Sequence, residues 1–282
     1  MRKAGLLVSV FVFGLVACGP NDRDDMGGDD TGDPGGGGGG TGSGSGSGSD
    51  GTIVYVYAHS ASTLYRVDPD TLAVQMVAPF GWGSVGSDSM TDIAIDKAGV
   101  MIGISYNRVY KIDPATAATT LLSNSLNGTF NGLSFVPASM LGQTGDDILV
   151  GTNNSDGKVM RIDPMTGSAT QVGDMGGFQS SGDLVAVEGF GTVQTVVNGP
   201  FSGADKLARL APNTFAASAI GGGTGYSQIW GVAFFKGKVY GFTNGGQFVL
   251  IDPSNGGAMM VTQTPGISWW GAGVTTLAPV LQ

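Results

Sequence analysis

One phrase recurs five times along the outer part of this chain. It reads LYRVDPDTLAV from Leu64, VYKIDPATAAT from Val109, VMRIDPMTGSA from Val159, LARLAPNTFAA from Leu207 and FVLIDPSNGGA from Phe248. Its aspartates are Asp68, Asp113, Asp163 and Asp252, with Ala211 in the same slot of the fourth copy, so successive copies lie 45, 50, 48 and 41 residues apart. A period of this size with strand-like flanks specifies a radial or stacked repeat fold. Helix signals are nearly absent. Each period instead carries short apolar runs bounded by Gly, Asn, Asp and Pro, the mark of strands and turns. Around the third copy the runs are Gly132–Val136, Asp147–Thr152, Lys158–Ile162 and Ala169–Val172. Four antiparallel strands in about 40–50 residues make one blade of a β-propeller.

The ends of the repeat region provide a closure test. The first copy has three runs, Ile53–Tyr57, Thr63–Val67 and Ala73–Val77, and lacks an innermost one. The last segment, Trp270–Leu277, reads like the inner-strand phrase Trp230–Phe234 and is one strand in surplus. Pairing the surplus strand with the incomplete blade closes a ring and removes the open edges of a linear array. The expectation is therefore an all-β, five-bladed propeller of four-stranded antiparallel blades over residues 52–282, closed by a C-terminal strand that completes the first blade. The alternative is an open solenoid. The Asp-Pro phrase itself is a turn signal. Asp accepts hydrogen bonds from backbone two residues on, Pro presets φ, and a following Gly or Asn permits a left-handed residue. The phrase resembles the bacterial propeller repeats of the NHL, YVTN and related lipoprotein families. That resemblance implies architecture, since those families host scaffolds, polymer binders and some enzymes.

The N-terminus implies export. Arg2 and Lys3 precede an apolar run from Ala4 to Ala17 and then Cys18. A charged start, a short apolar run and small residues before a cut site define a secretory signal over residues 1–17. The run is too short to span a membrane, which takes about 20 apolar residues. Leu15-Val16-Ala17-Cys18 resembles the lipobox of bacterial lipoproteins, which implies cleavage before Cys18 and its lipidation. Gly19 rather than Asp after the cysteine implies, by enterobacterial sorting rules, the outer membrane; which face is left open. Cys18 is the only cysteine, so the exported domain has no internal disulfide. Residues 18–51 form a linker: Gly35 to Gly40 is unbroken glycine, Gly42 to Ser49 alternates Gly with Ser, and seven aspartates stand against Arg23 alone. Such a segment cannot bury enough apolar surface to offset its ordering entropy. About 30 flexible residues have an r.m.s. span on the order of 30 Å.

In propellers the connections into the innermost strands converge on one mouth of the central channel. Here they supply the candidate ligand-binding residues Asp92, Asn131, Asp183, Trp230 and Trp270, with Ser89, Gln179, Gln228 and Trp269 close by in sequence. Polar groups beside indoles suit a sugar-like ligand; the competing role for Trp230 and Trp270 is packing between blades. Signs of catalysis are thin. His59 is the only histidine and reads as part of a turn, and no Gly-x-Ser-x-Gly elbow occurs. Zinc held by Cys and His is excluded by count, and no metal or cofactor is expected. Asp92 and Asp183 are the carboxylates placed to face each other across the channel, as glycoside hydrolysis needs. A net charge of −9 with no basic stripe argues against nucleic acid. The reading is a monomeric, lipid-anchored envelope propeller binding a protein or a glycan without catalysis; the alternative is a polysaccharide hydrolase or lyase.

Overall fold

The computed structural model describes residues 54–198 and 203–281. The signal segment 1–17, the lipidation residue Cys18 and the linker 18–51 lie outside them. The described chain is a ring of five four-stranded antiparallel sheets, a five-bladed β-propeller. The first blade contains β1 (Val56–His59), β2 (Thr63–Val67) and β3 (Val74–Pro79). The second runs through β4 (Asp92–Ile95), β5 (Met101–Ile104), β6 (Val109–Ile112) and β7 (Thr119–Ser123). The third is β8 (Gly132–Val136), β9 (Ile148–Thr152), β10 (Lys158–Ile162) and β11 (Ala169–Asp174). The fourth is β12 (Gln179–Val187), β13 (Gly191–Val197), β14 (Lys206–Leu210) and β15 (Ala217–Ile220). The fifth is β16 (Ile229–Phe235), β17 (Lys238–Thr243), β18 (Gln247–Ile251) and β19 (Ala258–Gln263). The surplus strand, β20 (Gly271–Gly273), pairs antiparallel with β1, Tyr57 opposite Gly273 and His59 opposite Gly271, and completes the first blade. Among the described residues no helix is long and apolar enough to cross a membrane.

Burial falls from the axis outward. Strands β4 and β8 are buried at every residue, whereas β11 and β19 are half exposed. This is why the inner strands read as continuous apolar runs and the outer ones do not. The apolar core lies in layers between facing blades. One layer sets Ala94, Ile102 and Val109 of the second blade against Leu133, Phe135 and Leu149 of the third. Another sets Val136, Val150 and Val159 of the third against Leu184, Val196 and Leu210 of the fourth.

The Asp-Pro phrase forms the turn between the two outer strands of each blade. Asp68 Oδ1 accepts the Asp70 and Thr71 amides at 2.9 and 3.0 Å, and Asp163 Oδ1 accepts the Met165 amide at 2.8 Å. The fifth residue of each turn is left-handed: Leu72, Ala117, Gly167, Phe215 and Gly256, with φ between 57° and 75°. Glycine or asparagine was expected there, yet three copies use Leu, Ala or Phe. Tertiary packing accounts for it, since Ala117 and Phe215 are buried. The turn also reaches the preceding blade. Gly81, just after β3, donates to Ala117 O at 3.0 Å, and Asn127, after β7, donates to Gly167 O at 2.9 Å. Strand-to-strand twist of about 20–25° swings the outermost strand across the blade, so its end meets its neighbour's turn.

After β20 the chain crosses the other end of the channel as a strap. Thr275 Oγ1 donates to Asp96 O at 2.8 Å and Thr276 Oγ1 to Asp147 Oδ2 at 2.6 Å. The Glu188 amide donates to Thr276 O at 2.8 Å, and the Lys236 amide to Pro279 O at 2.7 Å. Four blades are tied together by one short segment, on the side away from the channel mouth.

Candidate functional site at the channel mouth

Closure dictates the local chemistry of the mouth. Inner strands of neighbouring blades approach so closely that a Cβ on Gly132 would lie 2.6 Å from Gly182 O, and one on Gly231 2.6 Å from the Gly271 carbonyl carbon. Glycine therefore holds this position in four blades, and Asp92 takes it in the second. The residue just before it is free of that constraint. Those residues are Thr91, Asn131, Ser181, Trp230 and Trp270, one per blade, and all five line a single cavity of about 420 Å³. Tyr106 joins them from the β5–β6 turn, and Asn153 and Asn154 from the β9–β10 turn. Thr129 and Phe130, just ahead of β8, complete the wall, so no lining residue is charged. Trp230 and Trp270 meet edge to face, ring centres 6.1 Å apart, and both stay half-buried. Asn131 Oδ1 lacks a hydrogen-bond donor.

Of the five residues expected at the mouth, Asn131, Trp230 and Trp270 lie together in this cavity. Asp92 and Asp183 do not line it; both are fully buried among the inner strands. Their physical reason is backbone hydrogen bonding. Asp183 Oδ1 accepts the Leu184 amide at 2.6 Å and the Leu133 amide at 3.4 Å, and its Oδ2 accepts the Val232 amide at 2.8 Å. One carboxylate thus ties three inner strands, β8, β12 and β16. Asp92 Oδ1 accepts only the Ile93 amide at 2.8 Å, and its Oδ2 has no donor partner. The two carboxyl groups abut. Burial raises both pKa values well above the usual carboxylate range, and the charge of Asp183 raises Asp92 further. Since Asp183 holds the backbone donors, Asp92 is the member that favours the protonated form.

His59 requires a correction. It is the last residue of β1, not part of a turn, and it is fully buried. Its Nδ1 donates to Ser60 O at 2.9 Å, which leaves Nε2 bare, 3.8 Å from Asp92 Oδ1. Burial lowers its pKa to about 4. The contact is therefore one between neutral groups, not an ion pair. Trp269, noted beside the mouth in the sequence, is a packing residue. It is buried against Tyr65 and Phe242, and its Nε1 donates to Thr264 Oγ1 at 3.0 Å. Among the described residues no group of three or more His, Cys, Asp or Glu side chains is placed to hold a metal ion.

Sequence reasoning missed Thr91, Ser181, Tyr106, Asn153 and Asn154. The signal was available in the strand order. In an antiparallel blade the turn between the second and third strands returns to the end where the first strand begins. The polar turns Tyr106-Asn107 and Asn153-Asn154 therefore belong beside the mouth.

No protein-family model and no curated protein matches this chain. Solved structures do resemble it. One is a symmetrical protein studied for its de novo evolutionary emergence, 18% identical, with a TM-score of 0.52 over 81% of this chain and 100% of that one. Another is a chain of a nidogen/laminin complex, 8% identical, with a TM-score of 0.50 over 78% of this chain and 98% of that one. Both likenesses concern the fold alone.

Proposed function

We propose that this protein is a lipid-anchored β-propeller of the bacterial cell envelope that binds a neutral glycan at the channel mouth without catalysis. The carrying observation is the lining of the 420 Å³ cavity: two indoles on one wall, hydroxyls and amides on the other, and no charge. Indole faces cover the apolar face of a sugar ring while amides and hydroxyls pair with its hydroxyls. The burial of Asp92 and Asp183 favours binding over the hydrolase or lyase reading, because hydrolysis needs two carboxyl groups in reach of the glycosidic bond. The lipobox-like Leu15–Cys18 and the Gly/Ser/Asp linker support anchoring, on the outer membrane by the Gly19 rule. The repeat phrase supports kinship with NHL- and YVTN-type lipoprotein propellers.

Glycan-array binding followed by titration, read by tryptophan fluorescence, tests the proposal. Trp230→Ala and Trp270→Ala should each weaken binding by about ten- to thirty-fold, the loss of a buried aromatic anchor. Unchanged affinity in both variants, or an array with no neutral glycan bound, refutes the reading. Turnover of a bound polysaccharide that Asp92→Asn abolishes would establish the catalytic alternative. Radiolabelled palmitate should enter the wild-type chain and not Cys18→Ser.

A further inference from the structure

The mouth has a second cavity, of about 510 Å³, beside the first, and Ser181 lines both. We propose that the ligand is a chain of at least two neutral sugar units, one in the tryptophan-walled cavity and its neighbour across Ser181 in the second cavity. The inference rests on the glycan reading of the first cavity and extends it.

The second cavity is built differently. Its walls include Asp205, Ser227 and Gln228, with the backbone of Gly203 and Gly225, and it has no aromatic face. Asp205 is a fixed wall. It is buried, its Oδ2 accepts the Ile229 amide at 2.7 Å, and its carbonyl accepts the Thr224 amide and hydroxyl at 2.9 and 2.8 Å. The lining is hydroxyl, amide and peptide together with the Asp205 carboxyl, which burial shifts towards its protonated form, and all of these pair with sugar hydroxyls. Gln228 is also strained. Its φ is 55°, a left-handed backbone that costs a side-chain-bearing residue stability, and its carbonyl is held by the Asn244 amide at 2.8 Å. Such strain clusters at ligand sites. Gln228 and Trp230 flank Ile229, so a single short stretch lines both cavities and fixes their spacing. Each volume suits a small ligand, and a linear chain fills the two together where a lone unit fills one.

The test is isothermal titration of the full protein with neutral gluco-, manno-, xylo- and N-acetylglucosamine oligomers of one to six units. For the series that binds, affinity should rise about tenfold or more from monomer to trimer, as a second contact is added on one molecule. Ser227→Trp, an exposed residue enlarged to fill the second cavity, should bring the trimer-to-monomer affinity ratio towards one. Gln228→Gly, which keeps the left-handed backbone and removes the side chain, should lower the same ratio and covers the case in which Ser227→Trp does not fold. A ratio near one in the wild type, or a ratio that both variants leave intact, overturns the second site while the glycan reading stands. Failure of every series to bind refutes the glycan reading itself.

Discussion

Asp92→Asn should be tolerated and Asp183→Asn should not, although both carboxyl groups are fully buried and touch each other. The difference follows from their partners. Asp183 accepts three backbone amides, from Leu133, Leu184 and Val232, on three separate inner strands. An asparagine there has one acceptor oxygen, and its amide nitrogen turns a donor towards at least one of these N–H groups. A buried N–H without an acceptor costs about 1–3 kcal/mol, and the charge-assisted bonds weaken as well, so Asp183→Asn should lose about 2–4 kcal/mol. Asp92 holds one backbone amide, and burial beside Asp183 favours its protonated form. Asparagine at position 92 accepts from Ile93 and sets a neutral amide of nearly the same shape beside Asp183, so its cost should stay within about 1 kcal/mol.

The pH dependence separates this account from simple steric tolerance. The folded pair holds a proton that the unfolded chain releases near the ordinary Asp pKa. Its stabilising contribution is therefore complete below that pKa and is lost as pH rises through the elevated folded value. Asp92→Asn removes the proton from the balance. Relative to wild type it should become progressively more stable as pH rises from the ordinary Asp pKa towards the elevated folded value. Urea unfolding at several pH values, followed by the emission of buried Trp269, measures both effects. Equal destabilisation by the two substitutions, or parallel pH profiles for Asp92→Asn and wild type, would refute the assignment of the proton to Asp92.

Other consequences of the fold are equally direct. His59 has a folded pKa depressed to about 4, so its contribution is complete above pH 6.5 and lost as pH falls towards 4; His59→Gln should flatten that acid limb, which spans roughly 3 kcal/mol, in the same urea series. Gly271→Ala sets a Cβ inside van der Waals contact of Asp92 Oδ1 and His59 Nε2, and should cost about 1–3 kcal/mol by calorimetry, or several degrees in melting temperature. Removing residues 274–281 deletes the strap but keeps β20. The Glu188 and Lys236 amides, which donate to it, should lose protection against hydrogen exchange, and stability should fall by about 4 kcal/mol for the four hydrogen bonds at 2.6–2.8 Å.

The blade count and ring closure were legible because they depend on a local phrase repeated at a fixed interval. Strand positions were legible for the same reason, and β2, β8 and β10 lie where the apolar runs place them. The errors fall where distant residues decide. Strand β1 was expected at Ile53–Tyr57 from its own alternation, yet it ends at His59 because β20 pairs there. The burial of Asp92 and Asp183 was hidden because it rests on distant partners, the Leu133 and Val232 amides for Asp183 and, for Asp92, a carboxyl 91 positions away in the sequence. Leu72, Ala117 and Phe215 in left-handed turns were hidden too, since contact with the preceding blade outweighs their local preference.

The asymmetry of the mouth points to where the repeats are free to differ. Ring closure requires glycine, or in one blade a proton-sharing aspartate, at the point where inner strands converge. The residue before it bears no such demand, and there the five blades diverge into Thr91, Asn131, Ser181, Trp230 and Trp270. The two tryptophans fall in adjacent blades, the fifth and the first, because β20 joins the first blade as its inner strand. The three short polar residues fall in the second, third and fourth. The strap covers one end of the channel and the singly protonated, buried Asp92–Asp183 pair lies among its inner strands, so a ligand approaches from the mouth, between an aromatic wall and a polar one. A ligand with one apolar face and a hydroxylated edge satisfies both walls at once, whereas a charged ligand finds no charged partner in the tryptophan-walled cavity.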